Sequence, residues 1–301
     1  AYDPAVLTYE ILSAFIQNKT ELQPNKMFLT LGSKFDYNDF TGFEVQPTIR
    51  MSYLPSESHH FWSAVSRAVR TPTRGEDGIS LIALSGYTAQ VGSKQYDSEK
   101  LTAYELGYKF NNNRNLSFDV TAFYNDYSDL RTQQLRDGGC SLPGNITVCY
   151  DLKNTGYGEV YGAELAMRFN MSDKWRIHSS YSFIQEDIHS KNSATNTYIG
   201  DNEKNEGATP KNQFNVRSLY NINSKLEFDN SLYYYDNTYI HDINAFIRFD
   251  SRLAYKLQDN SQISLVGQNL FDSYHQEYKE SLFSEKTEIG RSFFIKYSKK
   301  Y

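Results

Sequence analysis

The side chains that could do chemistry in this 301-residue chain do not form a catalytic set. No nucleophile stands with a histidine and a carboxylate at a useful spacing, and no glycine-rich loop suited to phosphate is present. No histidine neighbours either cysteine at a spacing that suits a metal ion. We therefore predict that the chain is not an enzyme and that it holds no cofactor and no metal.

The two cysteines are the clearest local signal. Cys140 and Cys149 lie close together in a stretch rich in Gly, Pro and Asn. That spacing predicts one small disulfide-closed loop in an oxidising compartment. Two free thiols in a cytosolic protein are the alternative.

Composition excludes several classes of protein. The formal net charge is −5, which gives no support to nucleic-acid binding. No run of eighteen apolar residues occurs, so a helical membrane protein is excluded. The first residues lack both a basic start and an apolar core, so we expect that a signal peptide was removed or that a longer protein precedes them. The chain has 25 Tyr and 19 Phe but only 2 Trp, which is typical of alternating strands with polar loops.

The elements that carry this composition are strands from one end of the chain to the other. In the last stretch, Phe293, Ile295, Tyr297 and Tyr301 fall on one face of a period-2 pattern. We count roughly thirteen such strands, each of about ten to thirteen residues, which is the length of tilted membrane-spanning strands. The predicted strands are 8–21, 26–37, 43–54, 59–69, 99–110, 116–127, 158–169, 175–186, 211–220, 226–235, 245–257, 261–271 and 290–301.

The connections between these strands alternate between short and long. Residues 111–115 form a short turn, whereas 70–98, 128–157 and 187–210 are long and polar. Short periplasmic turns and long extracellular loops are typical of outer-membrane barrels. Charges in mid-strand would line a polar lumen, and aromatic residues at strand ends would form girdles at the lipid interfaces. The pattern therefore predicts an all-β, antiparallel up-and-down transmembrane β-barrel.

Five stretches, in order, resemble TonB-dependent outer-membrane receptors over essentially the whole chain. They are 66–72 (SRAVRTP), 98–109 (SEKLTAYELGYK), 154–156 with 160–164 (NTG, VYGAE), 268–272 with Tyr274 (QNLFD), and 290–301. The last stretch resembles the C-terminal signal that the barrel-assembly machinery recognises, here Phe293, Ile295, Tyr297 and Tyr301. The resemblance implies a location in the outer membrane of a Gram-negative bacterium, in contact with its lipid.

The same resemblance implies active uptake of a scarce nutrient, most often an iron chelate such as a ferric siderophore. Energy would come from the TonB complex through an N-terminal plug. The family's barrel has twenty-two strands, and neither the plug nor a TonB box is recognisable here. We therefore expect residues 1–301 to be the C-terminal portion of the barrel domain, with the plug and about nine strands upstream.

Substrate contacts in this family come from extracellular loops and the upper lumen. Arginine can pair with carboxylate, catecholate or hydroxamate oxygens, and tyrosine offers a flat face with a hydroxyl. The candidates that the resemblance implies are Arg70, Arg74, Tyr87, Tyr96, Arg131, Arg136 and Tyr198. Haem is disfavoured because no histidine occurs between Arg70 and Ser98. We expect the mid-strand His178 to face the lumen as a structural hydrogen-bonder.

Two other functions remain open at this point. One is a passive porin-like or autotransporter-type barrel of about twelve to fourteen strands. The other is a soluble secreted β protein that binds carbohydrate or a cell surface.

Overall fold

A computed structural model describes most of the chain. The described residues are 5–78, 80–82, 88–93, 96–112, 114–136, 148–191, 206–240, 242–258, 260–278, 285 and 287–300, with the backbone alone at 80–82 and 88–90. None of the helical residues in these ranges belongs to a segment long and apolar enough to cross a membrane.

Strands make up nearly all of the regular structure in these ranges. The one short helix described is α1 (Arg74–Gly78). The strands are β1 (Ile11–Gln23), β2 (Met27–Asn38), β3 (Gly42–Ser56), β4 (His59–Arg70), β5 (Ser80–Ile82), β6 (Thr88–Val91), β7 (Glu99–Asn111), β8 (Leu116–Leu135), β9 (Val148–Ser172), β10 (Trp175–Ser190), β11 (Asn212–Asn221), β12 (Leu226–Tyr235), β13 (Phe246–Lys256), β14 (Ser261–Gln268), β15 (Tyr274–Tyr278), β16 (Thr287–Gly290) and β17 (Ser292–Lys299).

Thirteen of these strands form one antiparallel sheet in chain order. The order is β1-β2-β3-β4-β7-β8-β9-β10-β11-β12-β13-β14-β17. This confirms the predicted count and the up-and-down topology. Within the described residues β1 and β17 each pair with one neighbour, so the sheet is not closed and corresponds to part of a barrel.

The connections alternate in length as the sequence predicts. At one end of the sheet, the turns that follow β1, β3, β7, β9, β11 and β13 are two to four residues long. At the other end, all but one of the connections span ten residues or more. Asparagine makes two of the tight turns: Asn112 Oδ1 accepts hydrogen bonds from the backbone N–H groups of residues 114–116, and Asn223 Oδ1 accepts from Lys225 N and Leu226 N.

The two faces of the sheet differ as a barrel wall requires. Cross-strand register places large apolar side chains on one face, where they stay exposed, as with Leu106 at 62% and Ile295 at 75%. Exposed apolar residues on this scale are typical of a surface that contacts lipid. The opposite face carries polar and charged side chains. We call it the lumen face, and its part at the long-connection end the upper lumen.

Trp62 fixes part of this lumen wall. Its ring lies over Gly107 on the neighbouring strand, where a Cβ atom at 107 would overlap the indole. The guanidinium of Arg50 lies 5.0 Å from the centre of the same ring. Glycine at position 107 is therefore needed for the indole ring to lie this close to β7. Trp62, which belongs to β4, contacts β3 on one side and β7 on the other.

The cysteine loop that the sequence predicts at 128–157 is largely strand. β8 continues to Leu135 and β9 begins at Val148. Ser128-Asp129 looks like a turn, but Asp129 has a φ of 58° and the register shifts between Tyr127 and Leu130. The polar dipeptide is thus a bulge within a continuing strand. Asn154 Nδ2 donates to Asp129 O at 2.8 Å, which holds the bulge against β9.

The predicted strand 261–271 ends early, at Gln268. The cause is Asn269, whose φ of 53° is in the left-handed region. Its backbone N–H donates to Asp250 Oδ1 at 2.9 Å, and its Nδ2 donates to Ile289 O at 3.0 Å. The chain therefore leaves the sheet here and forms the separate hairpin β15–β16, which the sequence pattern does not predict.

The stretch 70–98 is also less irregular than expected. It contains α1, β5 and β6, and β6 pairs in parallel with the start of β9, with Ala89 opposite Cys149. A short strand that pairs with a segment some sixty residues away leaves no local pattern to detect, because the pairing depends on tertiary contacts.

Candidate functional site

Three of the predicted candidate residues meet at the top of β4, β7 and β8. Arg70 is the last residue of β4, and its Nη1 and Nη2 donate to the Glu76 carboxylate at 3.0 and 2.9 Å. Its Nε donates to Glu99 Oε2 at 2.5 Å. One guanidinium therefore binds two carboxylates, one from α1 and one from β7.

Tyr96 and Arg131 complete this group, which we call the Arg70 cluster (Arg70, Glu76, Tyr96, Glu99 and Arg131). Arg70 Nη2 donates to the Tyr96 hydroxyl at 2.7 Å, and that hydroxyl donates to Glu99 Oε1 at 3.1 Å. Arg131 contributes its backbone N–H to Glu99 Oε1 at 2.8 Å and its Nη1 to Glu76 Oε1 at 3.3 Å. The cluster therefore ties the loop 71–98 to three neighbouring strands.

Burial and charge fix the protonation of the cluster. Glu76 is 6% exposed and Tyr96 is 3% exposed. Burial alone raises the pKa of the Glu76 carboxyl, but hydrogen bonds from Arg70 and Thr73, with the charge of Arg70, hold that pKa below its ordinary value. Burial, with the Glu99 and Glu76 carboxylates close by, raises the pKa of the Tyr96 hydroxyl. Glu76 is thus ionised and Tyr96 neutral near pH 7.

Arg136 forms a separate pair. It lies just past β8 and donates from Nη2 to Asp151 Oδ1 at 2.5 Å and from Nε to both carboxylate oxygens at 2.9 and 3.1 Å. The hydrogen bond to Asp151 raises the pKa of the Arg136 guanidinium. The positive charge of Arg136 is therefore already balanced by the carboxylate of Asp151.

The other predicted residues are placed as follows. Arg74 begins α1, and Phe293, Ile295 and Tyr297 lie on the lipid-facing side of β17. Tyr87, Tyr198, Cys140 and Tyr301 lie outside the described residues. Cys149 is buried and is not a free thiol, and its pairing with Cys140 stays a prediction.

The upper lumen also contains a cavity that the sequence pattern does not predict. We call it the cup, a cavity of about 460 Å³ at the tops of β12 and β13. It is lined by Ala208, Pro210, Tyr233, Tyr235, Asp236, Thr238, Ile243, Phe246, Arg248 and Glu277. The register pairs Tyr233 with Arg248 and Tyr235 with Phe246, which places all four on the lumen face.

Aromatic rings form one wall of the cup. Tyr235 stacks on Phe246 with ring centres 5.1 Å apart, and Phe246 stacks on His275 at 4.2 Å. Arg248 lies 5.7 Å from the centre of the Tyr233 ring, and its Nη2 donates to Asp250 Oδ2 at 2.8 Å. The sequence signal for this wall was three consecutive tyrosines, 233–235, before a polar loop.

The lower lumen, nearer the short turns, has a different charge pattern. Arg168 and Arg217 lie directly opposite His178 on either side, and Arg176 is on the same face two residues away. In the part of the chain that the structure describes, these four side chains have neither a salt bridge nor a hydrogen bond. The predicted hydrogen bond of His178 is therefore not found. Arg168, Arg176 and Arg217 therefore have no carboxylate partner among the described residues, and they lie in the half of the lumen away from the cup.

No group of three or more His, Cys, Asp or Glu side chains suited to a metal ion occurs within the described ranges. The buried acidic side chains of the Arg70 cluster are each engaged by arginine. The site therefore offers aromatic faces, hydroxyls and paired charges, which is the chemistry of binding.

Comparison with known proteins gives a matching family model and several relatives of similar sequence or fold. The family model described as "TonB dependent receptor-like, beta-barrel" matches residues 1–270. The iron-regulated outer membrane virulence protein of Vibrio cholerae is 22% identical over 275 residues, which covers 86% of this chain and 40% of that protein.

Solved structures of similar fold include the siderophore receptor PirA from Acinetobacter baumannii, at a TM-score of 0.72 and 16% identity. A ferric enterobactin receptor, PfeA, from Pseudomonas aeruginosa gives a TM-score of 0.71 at 18% identity. Each of these two alignments covers 95% of this chain, but only 45% of PirA and 44% of PfeA. It thus spans less than half the length of these relatives, and identity at this level establishes the fold alone.

Proposed function

Because the chain belongs to the TonB-dependent receptor β-barrel family, we propose that the protein takes up a scarce nutrient, a ferric siderophore, by active transport with energy from TonB. The protein lies in the outer membrane of a Gram-negative bacterium. The observation that carries the proposal is the match over 86% of the chain to an iron-regulated outer membrane protein, joined to a barrel wall with one apolar and one polar face.

We further propose that residues 1–301 form the C-terminal portion of the barrel domain. On this proposal the substrate enters from the long-connection end, where the Arg70 cluster and the cup lie. The Arg70 cluster holds α1 and Tyr96 against the barrel wall because each of its carboxylates accepts hydrogen bonds from arginine. The chain performs no covalent chemistry on its substrate, so it acts as a receptor and not as an enzyme.

The proposed partners follow from this role. Lipid covers the exposed apolar face, and the assembly machinery recognises the strand that carries Phe293, Ile295 and Tyr297. TonB acts through a plug that belongs to the same receptor. The substrate is a small iron chelate.

The test is uptake of radioactive iron by cells in which the full gene is deleted and then restored. We expect expression to rise under iron starvation, and siderophore-dependent uptake to be lost on deletion and regained with the wild-type gene. Uptake should also stop when the proton gradient is collapsed by an uncoupler. Normal iron uptake in the deletion strain, with expression indifferent to iron, would remove the siderophore function. Uptake that persists with the uncoupler would favour a passive pore instead.

A further inference from the structure

Four arginines of the upper lumen are paired with carboxylates of the chain itself. Arg70 binds Glu76 and Glu99, Arg136 binds Asp151, and Arg248 binds Asp250. Arg131 binds Glu76 as well. Arginine forks that already hold carboxylates offer few free donors to an incoming anion. These four guanidinium groups therefore offer little uncompensated positive charge to a strongly anionic ligand.

The described lining of the cup has no surplus of positive charge. Among the described residues that line it, Arg248 is the one cation, against the carboxylates of Asp236 and Glu277. Hydrogen bonds from Asn212 and from the backbone N–H of Asn237 lower the pKa of Asp236, so this carboxyl is ionised near neutral pH. Lys211, close to the cup, offsets part of the Asp236 charge. The carboxylates of Asp236 and Glu277 repel an anionic ligand. The cup therefore disfavours anionic ligands relative to neutral ones.

The cup also contains a buried hydroxyl that has no hydrogen-bond partner among the described residues. Thr238 is 5% exposed and lines the cavity, and its Oγ1 makes no hydrogen bond to any described residue. A buried polar group left in this condition is costly, so it is a natural place for a ligand atom to bind. Its neighbours in the lining are the aromatic ring of Tyr235 and the apolar side chains of Pro210 and Ile243.

We propose that the cup is a binding subsite for iron chelates of low net charge, of the hydroxamate type, and that it disfavours the strongly anionic catecholate type. A ferric tris-hydroxamate centre carries no net charge, whereas a ferric tris-catecholate centre is a polyanion. The Tyr235 ring and the apolar side chains pack on the chelate backbone, and Thr238 Oγ1 hydrogen-bonds to one of its carbonyl or amide groups. This inference rests on the proposed function, because it names the class of chelate that this receptor takes.

The experiment uses the purified full-length receptor and compares two probes, a ferric trihydroxamate and a ferric tricatecholate. Binding is followed by calorimetry. We expect the trihydroxamate to bind at least about tenfold more tightly, since repulsion acts only on the polyanion. Tyr235→Ala should weaken its binding by about three- to tenfold through loss of the ring face. The matched control is Tyr239→Ala in the loop that follows β12, because Tyr239 is 81% exposed and does not line the cup.

Thr238→Val separates a binding role from a structural one. Valine has the same shape without the hydroxyl, so we expect binding of the trihydroxamate to fall by about fivefold while the thermal stability of the free receptor stays equal or rises. Glu277→Gln should raise the relative affinity for the tricatecholate several-fold, because it removes one negative charge from the lining.

The outcomes separate the proposed subsite from the proposed iron-uptake function. Equal or tighter binding of the tricatecholate, or unchanged binding by the Tyr235→Ala and Thr238→Val receptors, overturns the subsite and leaves the iron-uptake function standing. If neither chelate binds and the cells take up no iron through this receptor, the proposed function fails, and the subsite fails with it.

Discussion

Glu76→Gln is expected to release the loop 71–98 from the barrel wall without unfolding the barrel. The buried carboxylate accepts from two arginines, and a hydrogen bond to a charged group contributes about 1.5–3 kcal/mol. Arg70 keeps Glu99 as a partner and its side chain is 45% exposed, so both contributions are discounted for solvent screening. We therefore expect a loss of about 3 kcal/mol in the stability of the closed loop.

This loss corresponds to an increase on the order of a hundredfold in the population of the open loop. The assay is hydrogen–deuterium exchange on the full receptor, read at Ser93, whose backbone N–H donates to Glu76 O at 2.9 Å. Exchange in β12 and β13 should not change. The control is Glu57→Gln, an exposed glutamate in the short turn after β3 at the opposite end of the sheet. Equal exchange at Ser93 in the Glu76→Gln and wild-type receptors would refute the role of the cluster as a loop fastener.

Three further predictions follow from named contacts. Gly107→Val should cost about 2–3 kcal/mol and reduce the amount of assembled receptor in membrane fractions, because its side chain overlaps Trp62, and Trp62→Ala should restore part of that amount. Because the pKa of Glu76 is lowered in the folded state, its contribution is full above the ordinary glutamate range and is lost as the pH falls below it. The protection factor at Ser93, which is corrected for the intrinsic pH dependence of amide exchange, should therefore fall on acidification, and it should depend less on pH in Glu76→Gln. Asn269→Gly should keep the turn but loosen β15–β16 in a proteolysis assay, since Gly accepts the φ of 53° and lacks the hydrogen bond to Ile289 O, a loss of about 1 kcal/mol. Equal proteolysis of this variant and the wild type would argue against that hydrogen bond.

The barrel topology could be predicted from sequence because strand faces repeat with period two. Phe293, Ile295 and Tyr297 share a face in the pattern and in the structure, and both place the last strand after a long connection. The errors occur where local chemistry has two outcomes. Ser128-Asp129 has the composition of a turn, yet a left-handed Asp129 turns it into a bulge, because the strands on either side go on pairing.

The role of the candidate residues in binding substrate stays a prediction, and their pairing was not predicted. Arg70, Tyr96 and Arg131 lie near the long-connection end, and the structure brings these three together. Residue type shows what an arginine can bind, but not what it already binds. Glu76 is six residues from Arg70 in the chain, whereas Glu99 is twenty-nine away, and no local pattern links the three.

The cup was missed for the same physical reason. A tyrosine in a period-2 strand predicts a face, and whether that face lines a cavity depends on the register with the next strand and on the loop above it. Tyr235 faces the lumen beside Phe246 because β12 and β13 pair at that register. Thr238 and Ile243, which pair across the following loop, also line the cup. Cross-strand register thus decides which charges meet and which rings meet. It is therefore the register, and not the abundance of arginine in the loops, that sets the charge of the surface a ligand would contact.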